Sequence, residues 1–333
     1  MVRDLMATTT TTESKVDVVP RFAEEDKLGP LGGEKRSLLE DEAELRRVLV
    51  SEFEAAANAA REAAGSVDRG VTTAVHEYRK ALRRARAVLG LIGRALPKSE
   101  RRAINRALRE ARRALGTARD HAVAPDTLGV LSLDEVERAT ADGILRTASE
   151  AIPPVAEIKQ LLAEGAARTA AQVEALEASL PQAIAWKNVE RGLRDTYGEA
   201  RTARRSAKRS RRSFHTWRRR SKELGYQLDL LAGYAGMRVQ ELAREFEAVT
   251  DTQGPAVDLV MLRDFIRTHA AGVANEAVAA VVSSIETQID DLVKDSRRAG
   301  RDAFDKKPRR FARRLTKAMR RDLAPVIVPD EVD

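Results

Sequence analysis

Cysteine is absent from the chain, which excludes disulfides, thiolate metal sites and thiol nucleophiles. Four histidines stand far apart at 76, 121, 215 and 269, so no metal site is expected and no cofactor is implied. Aromatic residues make up only 4% of the sequence, too few for the stacking platforms that single-stranded nucleic-acid binders use. The opening MVRDLMATTTTTES has no apolar signal region. The most apolar run, AVAAVV at 277–282, is far too short to span a bilayer. No Gly-x4-Gly-Lys-Ser/Thr loop is present, so P-loop nucleotide hydrolysis is not supported. A cytoplasmic protein without membrane association is the expectation.

Ala, Leu, Arg and Glu dominate, and few stretches alternate with a two-residue period, so the expected fold class is all-α. The net charge of +8 conceals a segregation. Residues 76–119 hold 14 Lys/Arg against 3 Asp/Glu, 187–222 again 14 against 3, and 294–321 hold 13 against 3. The remainder is therefore acidic. Basic helices that approach one another repel, an arrangement that makes sense when a polyanion sits between them.

The basic stretches contain a repeat. VHEYRKALRRARAVLGLI at 75–92 aligns without a gap on FHTWRRRSKELGYQLDLL at 214–231, an offset of 139 residues. His76/His215, Arg79/Arg218, Lys80/Arg219 and Arg83/Lys222 coincide. Apolar residues three and four apart, Tyr78, Leu82 and Leu89 in one copy and Trp217, Leu224 and Leu231 in the other, predict a helix face turned to a core. His76, Arg79, Lys80, Arg83 and Arg86 form a cationic stripe on the other side. A following helix, from Ser99 as N-cap to about Ala118, is expected to carry Arg102, Arg106, Arg109 and Arg113 opposite Ile104, Leu108 and Leu115.

Residues 1–34, with a Thr tract and several Pro and Gly, read as a flexible leader. Two helical halves follow, about 35–182 and 183–322, and 323–333 form a C-terminal tail. Helices are expected near 36–64, 71–96, 99–118, 133–149, 155–179, 183–209, 213–231, 235–249, 256–271 and 273–300, with a last one after Pro308. The order of elements suggests duplication of a helical bundle.

These residues resemble the CHAD domain, a conserved histidine α-helical domain of two bundles related by a pseudo-twofold. The first half shows His76, Arg79, Lys80, Arg83, Arg84 and Arg86, then Asn105, Arg109 and Arg113, then Leu115, Arg119 and Asp120 in the family's spacing. The second shows Tyr197 and Arg201, then His215, Trp217, Arg218, Arg219, Lys222 and Tyr226, and near the end Lys307, Pro308 and Phe311. The chain departs where the family has Gly-Asp and a further Asp, placing Thr250 and Gly254 there, so the second half is expected to lack a carboxylate matching Asp120.

The resemblance implies long basic helices lining a central cavity or pore. It also implies non-catalytic binding of inorganic polyphosphate, with localisation on polyphosphate granules and other granule proteins as further partners. The implied site comprises the cations named above, extended by Arg102, Arg106, Arg310 and Arg314. The residues read alone favour a similar ligand, because Arg forks match phosphate oxygens and Lys adds a mobile point charge. Non-specific DNA or RNA binding is the alternative. No carboxylate cluster stands beside the basic motifs to hold Mg²⁺ for hydrolysis, so no enzyme is expected. Bound phosphate is expected to protonate His76 and His215. His121 and His269 read as surface or packing residues, and Tyr78 and Trp217 as core anchors.

Overall fold

A computed structural model describes residues 42–149, 153–235 and 237–322, and all elements among them are helical. The leader and the tail lie outside the described residues. The helices are α1 (Glu42–Gly65), α2 (Val71–Ile92), α3 (Lys98–Arg113), α4 (Gly116–Gly129), α5 (Glu135–Ser149) and α6 (Val155–Ser179). They continue as α7 (Trp186–Ser206), α8 (Arg211–Ala235), α9 (Met237–Thr252), α10 (Gly254–His269), α11 (Asn275–Ala299) and α12 (Pro308–Asp322). A short 3₁₀ turn, Val67–Arg69, joins α1 to α2.

The helix order repeats in packing as well as in sequence. Helix α1 lies against α2 and α6, α3 against α6 and α2, and α4 against α5. Six elements later, α7 lies against α8 and α12, α9 against α12 and α8, and α10 against α11. The two repeat-bearing helices, α2 and α8, also touch each other, and α4 and α5 meet α10 and α11.

The apolar stripes of the repeat meet their expected fate. Tyr78, Leu82, Trp217, Leu224 and Leu231 are wholly buried. Each aromatic ring removes roughly 150–250 Å² from water, which fixes the rotation of its helix and so the direction of the cations opposite. Around Tyr197 the rings of Phe304, Phe311 and Phe246 close the second half, with the Phe311 ring stacked at 4.1 Å.

Most boundaries differ by a few residues from those read in the sequence, and α4 was not foreseen as a separate helix. The helix expected over 99–118 ends at Arg113, and a new helix starts at Gly116 after a break at Leu115. Lys98 is its first residue and Pro97 precedes it, so Ser99 lies inside the first turn and is no N-cap. Pro125 sits inside α4. By contrast Pro255 occupies the first turn of α10, where its missing N–H costs nothing.

Contact between α2 and α7 needs a glycine. A Cβ on Gly192 would lie 2.6 Å from the carbonyl oxygens of both Gly90 and Leu91, and backbone cannot move aside as a side chain can. From α8, the fully buried Gln227 donates through Nε2 to the Ala87 carbonyl of α2 at 3.1 Å. Helix α2 is thus clamped between α7 and α8, and this clamp sets the two cationic stripes against each other.

Candidate functional site

The two repeats place equivalent arginines in equivalent roles. Arg79 on α2 donates through Nη1 to the Arg112 carbonyl at the end of α3, at 3.4 Å. Its counterpart Arg218 on α8 donates through Nη1 to the Thr250 carbonyl near the end of α9, at 2.8 Å. Carbonyls of a last helical turn have no intrahelical partner, and a cation there is also favoured by the helix dipole. Both arginines therefore hold structure while contributing charge.

Around them the stripes converge. Arg86 from α2 shares its surroundings with Glu223, Arg219 and Arg220 from α8 and with Arg109 from α3. Burial, and the three guanidiniums beside it, lower the Arg86 pKa against the pull of Glu223. Arg86 Nε is steadied by Asn105 Oδ1 at 3.1 Å, which explains the asparagine of the motif. Arg219 is likewise lowered, first by burial and then by Arg220, against the pull of Glu223 and Glu199, with Arg109 also acting against its charge. Guanidiniums from three helices thus crowd one another, an arrangement that an incoming polyanion would relieve.

Lys222 marks the second focus. Burial, then Arg218 and Arg83, push its ammonium down to about 7, against the opposing pull of Asp251 and Asp258. These aspartates lie at the end of α9 and within α10, one and four residues after Thr250 and Gly254. His76, half exposed, is lowered by burial and by Arg83, Lys80 and Lys222, while Glu77 alone among its neighbours raises it. Glu77 also lies 3.5 Å from Lys80.

The remaining residues divide. Arg84 turns away from this focus, toward Glu52 of α1, where Asp229 also acts. Arg102, Arg106 and Arg113 stand exposed along α3, and His215 is exposed on α8. Arg201 is committed to the turn before α12, donating to the carbonyls of Phe304 at 3.1 Å and Asp305 at 3.3 Å. Arg310 and Arg314 lie exposed on α12, Arg310 close enough to lower Asp305. The Arg119 side chain lies outside the described residues. Asp120 acts on His121, whose buried ring packs at 4.9 Å from Phe265 and 5.4 Å from His269. His121 and His269 are thus packing residues at the α4–α10 contact.

Arg220 was not among the residues singled out from the sequence. It lies between Glu199 at 2.5 Å and Glu223 at 2.6 Å, so that its charge is spent within the protein. Only the pairing of helices α7 and α8 reveals this, since Glu199 is 21 residues away.

The chain matches the CHAD domain family over residues 51–267. It belongs to that family. Its structure is similar to the crystal structure of the CHAD domain from the plant Ricinus communis, with a TM-score of 0.55, 16% identity, and coverage of 81% of this chain and 98% of that one. It is also similar to PptA from Streptomyces chartreusis, with a TM-score of 0.54, 16% identity, and coverage of 80% and 100%. At such identity these likenesses show the CHAD fold alone. No curated protein matches the chain. Among the described residues no helix of this CHAD chain is long and apolar enough to cross a membrane, and no three His, Asp or Glu side chains gather as a metal set.

Proposed function

We propose that this CHAD protein binds inorganic polyphosphate along the converged stripes of α2, α3 and α8, without catalysis of its own, and that it resides on polyphosphate granules. The observation that carries this reading is the mutual crowding of Arg86, Arg109 and Arg219, drawn from three helices and flanked by Lys222 and Arg83. Folding holds these like charges together at a cost, and a chain of phosphates repays it at every contact. The recurrence of packing pairs and of the Arg79 and Arg218 bonds supports a duplicated bundle in which each half contributes one wall of the site.

The ligand is better matched by phosphate than by nucleobases. Tyr78, Trp217, Phe214 and Tyr197 are all buried and offer no face on which a base could stack, which leaves the partly buried Tyr226 of α8. A repeating anion without bases needs only forks and point charges, and these are what the stripes present.

If Lys80, Arg83, Arg86, Arg109, Arg219 and Lys222 each neutralise one phosphate, the logarithm of the affinity should fall with the logarithm of salt at a slope of about −4. Titration of labelled long-chain polyphosphate between about 50 and 200 mM salt should then show binding weakened by a few hundredfold. A slope near −1, or no binding at the low-salt end, overturns this reading.

A further inference from the structure

We propose that the groove between α7, α8 and α12 is a second polyphosphate site, so that one molecule bridges two chains. The proposal rests on the polyphosphate reading for the nature of its ligand and adds to it a separate site and a bridging activity. The groove, open along one side, offers about 940 Å³ and is lined by cations from two places: Arg212 at the start of α8, and Lys307 and Arg309 on either side of the Pro308 that opens α12. These three are exposed, and among the described residues no carboxylate pairs with them. Hydroxyl groups of Thr202, Ser206, Ser213 and Thr216 line the same walls and supply neutral donors for phosphate oxygens.

The carboxylates of the groove are already engaged. Asp195 is held by Arg94 and Arg194, and Glu199 by Arg220. They neutralise their own partners and leave the charge of Arg212, Lys307 and Arg309 for a ligand. No aromatic ring lines the groove, so a chain of phosphates fits its chemistry better than stacked bases do.

The groove is separate from the α2–α8 site. Between them runs the string Glu199–Arg220–Glu223, whose two carboxylates flank a single guanidinium. Both carboxylates repel a phosphate chain at this boundary, although they also act on Arg86 and Arg219, and each side is taken to hold its own chain. From the groove the cationic surface continues along α12 through the exposed Arg313 and Lys317, each four residues beyond the last. A site open onto such a helix suits an extended polyanion.

Bridging is read by a capture experiment. Long-chain polyphosphate is fixed to a surface, protein is bound and the excess washed away, and soluble labelled polyphosphate is then offered. The wild-type protein should capture the second chain. Arg212→Glu/Arg309→Glu should still bind the surface but capture about tenfold less, the loss of two charge-assisted contacts being more than sufficient. Both positions are exposed first-turn residues, where an acidic side chain favours the helix, so folding is preserved. Arg146→Glu/Arg244→Glu, an equal charge change on exposed residues outside the groove, should capture as the wild type does.

Equal capture by the groove variant and this control overturns the proposal, as does a wild type that binds the surface and captures nothing. Capture of single-stranded DNA in preference to polyphosphate overturns the assigned ligand. A wild type that fails to bind the surface overturns the polyphosphate reading itself, and the groove proposal falls with it.

Discussion

Arg109→Ala/Arg219→Ala is expected to bind polyphosphate at least about a hundredfold more weakly than the wild type, because two charge-assisted contacts of roughly 1.5–3 kcal/mol each are removed. Its thermal unfolding should stay close to that of the wild type. Both residues are exposed, and each adds to the cationic crowding around Arg86, so truncation relieves part of that repulsion. Arg79→Ala/Arg218→Ala offers the contrast. These two hold the carbonyls of Arg112 and Thr250, so their loss should lower the unfolding temperature along with affinity. Binding assays paired with thermal melts separate the two effects. Wild-type affinity in the Arg109/Arg219 variant would remove the converged stripes from the site.

Binding should also depend steeply on pH, and Lys222 is the main cause. In the ligand-free protein its pKa stands near 7, pushed down by burial and by Arg218 and Arg83. A bound polyanion restores the charged form, so above pH 7 each binding event must take up a proton there. Affinity should therefore fall about tenfold per pH unit from roughly pH 7 upward. Below that, His76 adds a weaker rise as pH falls, since burial and its cationic neighbours hold it under its usual value until phosphate arrives.

The sign for stability is opposite. Unfolded Lys222 has a pKa near 10.4, so between about pH 7 and 10 the unfolded chain binds more protons and the ligand-free fold gains stability as pH rises. Lys222→Met should lose both dependences together. Affinity that is flat between pH 7 and 9 in the wild type, or a slope surviving unchanged in Lys222→Met, would contradict this account.

Much of the helical architecture was legible in the spacing of apolar residues. The three-four spacing around Tyr78 and Trp217 gave the buried faces, and the gapless offset gave the equivalence of α2 and α8. Helix α6 spans Val155–Ser179, the bounds read from its flanking prolines and polar turn. The break at Leu115 was not legible, because the apolar spacing of Ile104, Leu108 and Ala111 runs on through it. Helix α4 was not legible either, since Pro125 inside it is a residue that ends a helix in most sequences.

Within the site, residue types were legible and pairings were not. Arg84 and Arg86 look alike in sequence, yet two positions along a helix rotate one toward Glu52 and the other toward Arg109. Glu223 meets Arg220 one turn along α8, but Glu199 joins them only because α7 and α8 pack together. Arg201 matches the family motif but spends its donors on the turn before α12. Asp251 and Asp258 come to act on Lys222 only through the packing of α8 with the end of α9 and the start of α10, which spacing along the chain does not show.

The decisive measurement is competition for the wild-type protein at about 150 mM salt, a concentration at which non-specific phosphate contacts are already weakened. Labelled long-chain polyphosphate is bound, and single-stranded DNA, duplex DNA and RNA are added at equal phosphate concentration. Guanidinium stripes without exposed aromatic rings should retain polyphosphate over each nucleic acid by more than about tenfold. Displacement by DNA or RNA as effective as that by unlabelled polyphosphate would contradict the account and make this CHAD protein a general polyanion binder.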